Sequence, residues 1–298
     1  MIKHEWRNTL SAEEAVELDA LLQRAADYDA EPAYSTITFS DIERAMSDSS
    51  RKTCHLLIWM LPHAVAMDQP PVPERIAGIV RLAFRDESSA EASVVIDPNL
   101  RSIGIMTLLL EQLGLDTDAD EGWAGTGARR ITSWAQGSHP ATGRLSNRFL
   151  IPRTKRVWKL ICPVRSAEAA AAPVLEPADD GALNEVSWAA EFLRTGRVLV
   201  LREGSRILGG VELDTRITTS LEFGACATIR RIAAAPHVDA VTRRRLLQGA
   251  IAIAHDAGRT GVIIHVDSAD AAFVNACRLS GFQHDRTDVR YELGGQRA

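Results

Sequence analysis

The tract Val94-Val-Ile-Asp-Pro-Asn-Leu-Arg-Ser-Ile-Gly-Ile-Met-Thr-Leu-Leu-Leu110 carries the clearest chemistry in the chain. Its apolar start predicts a strand, Pro98 ends that strand, and Arg101-x-x-Gly104 leads into an amphipathic helix. Such a turn brings unpaired backbone N–H groups to the positive end of a helix dipole, which makes an anion site. Gly104 has no Cβ, so phosphate oxygens can come close to the backbone. Arg101 adds a charge-assisted donor. The ligand predicted on these grounds is a pyrophosphate. The motif is short, and a plain turn before a helix has the same spelling.

Other residue types offer less. Cys54, Cys162, Cys226 and Cys277 are far apart, and the chain has neither CxxC nor HExxH. No metal site of ordinary spacing and no disulfide framework is expected. His63 and His139 fall in loops without ligand or catalytic spacing. With 34 Lys+Arg against 39 Asp+Glu the formal net charge is -5. Dedicated nucleic-acid binders are normally basic, so no nucleic-acid partner is expected. No run approaches the ~20 apolar residues of a membrane helix. The start of the chain is acidic and amphipathic without an apolar signal core, which predicts a cytoplasmic protein with no membrane partner.

The elements that must hold the 94–110 tract are legible on either side of it. A length of 298 residues suggests two domains of roughly 100–200 residues each. Ser11-Ala-Glu-Glu14 is a capping box, and Ala15, Leu18, Leu21, Leu22 and Ala25 follow at helical spacing. A second helix is expected near Ser40, with Ile42 and Met46 on one face. Strands are expected at His55–Met60, Ile76–Phe84, Ala92–Ile96, Arg130–Ala135 and Arg156–Cys162, with helices at Ile103–Leu113 and Arg144–Phe149. Ser166–Pro173, rich in small residues and ending in Pro, reads as a linker or a short helix, and the change in composition there marks the domain boundary. The expected division is 1–165, a linker at 166–176, and 177–298. The second half repeats the order: helix at Leu183–Leu193, hairpin at Val198–Leu213, strand at Ala227–Ala234, helix at Arg244–Ala257. A strand at Val262–Val266, a helix at Ala271–Leu279 and a strand at Val289–Leu293 complete it. Strand, Pro-loop, helix and strand thus occur twice, which predicts an internal duplication of an α/β unit.

Strand Val94–Ile96 followed by Arg101-x-x-Gly104 resembles the acyl-CoA pyrophosphate loop of the GCN5-related N-acetyltransferases (GNATs). Several further tracts are similar, in order, to the mycothiol synthase family, tandem acetyltransferases of actinobacteria. They are Trp6-Arg-Asn-Thr-Leu10, His55-Leu-Leu57, Ser133-Trp-Ala-Gln-Gly137, Arg278-Leu-Ser-Gly-Phe282 and Asp288-Val-Arg-Tyr-Glu-Leu293. The resemblance implies two tandem domains of mixed, mostly antiparallel α/β architecture, each splayed at its loop-bearing strand. It implies acetyl-CoA as cofactor, a small-molecule amine as acceptor, and a monomer or homodimer. Val94, Val95 and Ile96 would pair with the pantetheine arm. Arg101, Ser102, Ile103, Gly104, Ile105, Met106 and Thr107 would cradle the pyrophosphate. Met106 departs from the family, which has Gly or Ala there.

The second half departs further. The family's loop glycines fall on Thr242 and Arg244, and its leading Gln or Arg falls on Asp239. Its strand carboxylate falls on Thr228, and two of its tyrosines fall on Cys277 and His265. The segment between Pro177 and Val198 is shorter than in the family. In the first half, Ser93 takes the carboxylate position, and Glu91, on the same face if the strand alternates, becomes the candidate base. A solvent-facing role for Glu91 is the alternative. The expected activity is N-acetyl transfer to a small amine, such as the cysteinyl-glucosaminyl-inositol precursor of mycothiol. The alternatives are a non-catalytic acyl-CoA-binding or scaffold protein and an interaction module that no longer binds CoA.

Overall fold

The computed structural model describes residues 1–29, 34, 37–48, 52–61, 74–138, 140–165, 172–178, 180–184, 186–192, 195–236 and 238–295. His63 and His139 lie outside these residues. The strands are β1 (Ile2–Arg7), β2 (Thr53–Met60), β3 (Arg75–Phe84), β4 (Ser89–Ile96), β5 (Arg130–Ala135), β6 (Arg153–Pro163), β7 (Glu176–Pro177), β8 (Arg197–Glu203), β9 (Arg206–Ser220), β10 (Gly224–Ala234), β11 (Gly261–Asp267) and β12 (Gln283–Gly294). The helices are α1 (Ala12–Tyr28), α2 (Phe39–Ser47), α3 (Ile105–Leu113), α4 (Pro140–Arg148), α5 (Asp180–Asn184), α6 (Ala240–Asp256) and α7 (Ala271–Leu279). They form two compact units, Met1–Lys155 with Val289–Ala298, and Arg156–Asp288.

In the first unit β1 to β4 form an antiparallel meander, and β5 joins β4 in parallel. Val289–Gly294, the second half of β12, closes the unit by pairing antiparallel with β5. Alternation sends neighbouring residues to opposite faces. The row Leu57, Ile79 and Val95 packs under Leu18, Leu21 and Leu22 of α1 and Ile42 of α2. The row Leu56 and Val80 packs with Ile105, Leu109 and Leu110 of α3 on the other face. The predicted capping box starts α1: Ser11 Oγ accepts from Glu14 N–H at 3.1 Å, and Ser11 N–H donates to Glu14 Oε2 at 2.9 Å.

In the second unit β8, β9 and β10 are antiparallel, β11 joins β10 in parallel, and β6 joins β11 antiparallel. Leu246, Leu247 and Ala250 of α6, with Ala276 and Cys277 of α7, fill one core. Strand–loop–helix–strand thus occurs as β4–α3–β5 and again as β10–α6–β11.

One strand, β1, had no prediction, and two expectations change. The predicted helix over Leu183–Leu193 is instead α5 and a 3-10 turn at Ser187–Glu191. Val186 between them is extended (φ -119°, ψ 120°), which lets Leu183, Trp188 and Phe192 all pack against Val200 and Ala233. The units also change over between Lys155 and Arg156 rather than at 166–176, of which 166–171 lie outside the described residues. The first unit keeps the end of the chain because Val289 and Tyr291 bury against Ala135.

Candidate active site

β4 and β5 pair only from Ser89↔Arg130 to Ala92↔Ser133. Both continue, to Ile96 and Ala135, so the sheet opens into a V. On its other edge β4 stays paired to β3 through Gly78↔Ile96, and Asp97 N–H donates to Ala77 O at 2.9 Å. Alternation along an antiparallel ladder then fixes what faces the V: the N–H and C=O groups of Val94 and Ile96. Arg101 Nε takes the Ile96 carbonyl at 3.1 Å. Both groups of Val94 and the N–H of Ile96 remain aimed at the gap. Gly78 permits the tight side of this arrangement, since a Cβ there would lie 2.6 Å from Val95 O.

A cleft of about 710 Å³ fills the V, a size suited to a small-molecule ligand. Val94 and Ile96 form one wall, and Ser133 to Gln136 the other. The start of α3, α4 and Tyr291–Leu293 complete it. Ser102 (φ 67°) and Gly104 (φ 94°) are both left-handed, on either side of Ile103, so the backbone turns sharply just before α3. Gly104 is the N-cap of α3 and offers no side-chain cap. The first helical bond runs from Leu108 N–H to Gly104 O at 2.9 Å, so the N–H groups of Ile105, Met106 and Thr107 have no acceptor within the helix.

The end of α1 clamps this loop by ion pairs running in both directions. Arg24 reaches Asp97 at 2.7 Å, and Arg101 reaches Asp29 through two bonds of 2.7 and 2.8 Å. Burial opposes the charge on Asp97, yet Arg24 and the N–H of Asn99 hold its carboxyl below the ordinary value. The hydrogen bonds to Asp29 push the Arg101 pKa further up, and its guanidinium lies 5.0 Å from the Tyr28 ring centroid.

Of the residues predicted for the cofactor, Val94, Ile96, Arg101, Ser102, Gly104, Ile105, Met106 and Thr107 line the cleft. Three predictions need correction. Val95 points to the opposite face, into the core under α1. Ile103 is exposed and outside the lining. Arg101 is no free donor, because Asp29 already takes its fork. Arg144 of α4, by contrast, lines the cleft with no ion pair or hydrogen bond among the described residues. No local spacing marks it, nor the contribution of β12.

Glu91 is also corrected. It lies on the face away from the cleft and is ion-paired to Arg85. The two carboxylates among the described residues that line the cleft are engaged as well: Asp29 by Arg101, and Glu292 by Arg130 at 2.9 Å. No histidine is among the described residues that line it.

The second unit repeats the V but not the uncapped helix start. β10 and β11 pair from Cys226↔Gly261 to Ile229↔Ile264, then run on to Ala234 and Asp267. At the start of α6, however, the Asp239 carboxylate accepts from Thr242 N–H at 2.9 Å and from its hydroxyl at 3.0 Å. A fixed anion therefore sits where the first loop is open. Thr228 shares a 3.2 Å hydroxyl contact with Thr218, and His265 stands exposed opposite Lys159. Cys277 is fully buried, and burial pushes its thiol up to about 12, so it is no nucleophile at neutral pH.

No protein-family model and no curated protein matches the sequence. Solved structures do match. A tandem GNAT protein from the clavulanic acid biosynthesis pathway is similar over 100% of both chains, with a TM-score of 0.59 at 12% identity. The chain has the fold of the tandem GNATs. A GNAT from Sphaerobacter thermophilus is similar at 14% identity over 97% of this chain and 95% of its own, with a TM-score of 0.56. A GNAT-family acetyltransferase from Colwellia psychrerythraea is similar at 13% identity over 98% and 99%, with a TM-score of 0.52. Identities this low carry the GNAT fold and not a shared substrate.

Proposed function

We propose that this protein is an acetyl-CoA-dependent N-acetyltransferase acting on a small amine through its first unit. The observation that carries the reading is the V between β4 and β5, with the uncapped start of α3 at its end. A pantetheine arm has amide groups that an open strand edge can pair, as β-augmenting peptides do. Its pyrophosphate suits the N–H groups of Ile105 to Thr107, and Arg144 adds a cation to the same cleft.

In the reaction the neutral amine nitrogen attacks the thioester carbonyl carbon. The C–N bond forms, the C–S bond breaks, and sulfur leaves as a thiolate that takes up a proton. The N–H groups of Val94 and Ile96 are the donors available to the developing oxyanion. Water carries the ammonium proton away in this reading, since both carboxylates among the described lining residues, Asp29 and Glu292, are ion-paired. Proximity supplies much of the remaining rate. The cysteinyl-glucosaminyl-inositol precursor of mycothiol enters the acceptor panel on the strength of the sequence tracts alone.

The absence of an unpaired base among the described lining residues favours a second reading, a non-catalytic acyl-CoA-binding protein. Calorimetric titration with acetyl-CoA tests both. We expect one site per chain, abolished by Gly104→Glu, and thiol release when a competent amine is added. Binding without thiol release from any amine selects the second reading. No binding at millimolar ligand overturns both.

A further inference from the structure

We infer that the cleft takes an acyl group longer than acetyl, an unbranched apolar chain of medium length, and that this chain lies in a recess under α3. The inference rests on the acyl-CoA reading above. The register gives the depth of the recess. β4 and β5 stop pairing at Ala92↔Ser133, so the V closes there. The cleft does not close with it, because Ile131, two residues further back along β5, still belongs to its lining. Ile131 stands opposite Ala90, four residues before Val94. Beyond the Val94 N–H, the donor available to the thioester oxygen, the recess therefore extends by up to about 13 Å at the rise of a β-strand. An acetyl group would enter it by one methyl.

What lines the recess is apolar. Val80 is the cross-strand partner of Val94, and Ala92 follows Val94 on the same face, packed with α3. Leu109 and Leu110 of α3, with Trp123 and Ile131, complete the enclosure. Val80, Leu109, Trp123 and Ile131 are each 6% exposed or less and still line the cleft, so the cleft reaches into the core. Trp123 donates its indole N–H to Gly114 O at 3.0 Å and offers the recess only its ring. Ser146, also in the lining, donates its hydroxyl to Ile151 O at 2.8 Å. The cations of the described lining, Arg101, Arg144 and Arg148, stand on the loop before α3 and on α4, not on the strands that floor the recess.

A recess with this lining gives water few polar partners, and its walls forgo dispersion contacts until something apolar fills it. A methylene chain restores those contacts and takes its own surface out of water. The acyl donor is the reactant that reaches it. Its pyrophosphate suits the start of α3, its thioester lies at Val94, and the recess continues that path under the same helix. The reaction balances as it does for acetyl. The amine nitrogen bonds to the thioester carbonyl carbon, sulfur leaves with the electron pair of the C–S bond, and the chain beyond the carbonyl carbon is a spectator.

Calorimetric titration of the wild-type protein with CoA, acetyl-CoA, butanoyl-CoA and hexanoyl-CoA measures the recess. A fully buried methylene contributes about 0.8 kcal/mol, which is about a fourfold gain in affinity. We expect Kd to fall by about fourfold per added methylene from acetyl to hexanoyl, at one site per chain. The heat-capacity change of binding should grow more negative at each step, the mark of added apolar burial. Ala92→Leu puts a branched side chain into the recess and should leave hexanoyl-CoA binding no tighter than acetyl-CoA to the same variant. Its melting temperature certifies folding. Should it not fold, Ala92→Val takes its place, and the wild-type series decides without either. An affinity that is flat or falls with chain length overturns the inference and leaves the acetyltransferase reading standing. A gain that survives the Ala92 substitution overturns it as well, because the chain then lies elsewhere. Failure of all these ligands to bind takes down the acyl-CoA reading with it.

Discussion

At the scale of single residues, type and spacing located most of the loop that meets the cleft, but missed Arg144 and the β12 wall and could not say what each group is bonded to. Arg101 and Gly104 sit in the turn their spacing predicts. Only the fold shows that Asp29, 72 positions away in sequence, holds the Arg101 guanidinium. The cradle is therefore backbone, and Gly104 is its sensitive point. A Cβ at Gly104 meets nothing within 4 Å, so the penalty of Gly104→Ala lies in its positive φ, about 1 kcal/mol. We expect a melting temperature lower by a few degrees in a thermal scan, and weaker acetyl-CoA binding in calorimetry. His55 gives a second residue-scale outcome. Its pKa is lowered from 6.5 to about 4 in the folded protein, so the unfolded chain takes up its proton first as the pH falls. Its contribution is fully present above pH 6.5 and is lost as the pH falls towards 4, a change of about 3 kcal/mol. Urea unfolding of His55→Leu across this window should show a shallower loss of stability than the wild-type protein. Identical slopes would place the proton elsewhere.

At the scale of elements, those with local signals were readable and those fixed by distant partners were not. The Ser11 to Glu14 capping box announced α1, and the stripe Leu18, Leu21, Leu22 and Ala25 is the face it buries. β1 has no turn signals before it and gains its strand character from pairing with β2. The stretch 183–193 has helical composition, yet the burial of Trp188 and Phe192 breaks it into shorter turns. Resemblance to GNAT loops foretold the V, but its mechanics depend on a residue with no motif. Gly78 lets β3 approach β4 where β4 diverges from β5. In Gly78→Ala the new Cβ would meet Ile96 Cδ1 at 2.5 Å and Val95 O at 2.6 Å. The Ile96 methyl can rotate away, whereas the carbonyl moves only if β4 moves. We expect a destabilisation of about 1–3 kcal/mol, the usual cost of overpacking. Acetyl-CoA affinity should fall with it, because the displaced strand forms one wall of the cleft. A destabilised variant that binds acetyl-CoA at full affinity would show that the width of the V is set elsewhere.

At the scale of the whole molecule, the order of the chain and the order of its units differ, and this carries a consequence for dissection. A change in composition at 166–176 suggests cutting there. The first unit nevertheless takes its closing strand from Val289–Gly294, paired residue by residue from Val289↔Ala135 to Gly294↔Arg130. A chain ending at Arg165 would leave β5 as a bare edge, with open N–H and C=O groups next to the cleft. It would also uncover Ala135 and remove the Tyr291–Leu293 wall. We expect such a chain to aggregate or to lose acetyl-CoA binding, and a full-length chain truncated after Asp288 to lose binding in the same way. Joining residues 1–155 to residues 289–298 through a flexible linker should restore both solubility and binding, since it returns the missing strand and nothing of the second unit. Light scattering and calorimetric titration on the three chains separate the cases. If the chain ending at Arg165 binds acetyl-CoA as the whole protein does, β12 is dispensable to the cleft, and the division suggested by composition is the working one.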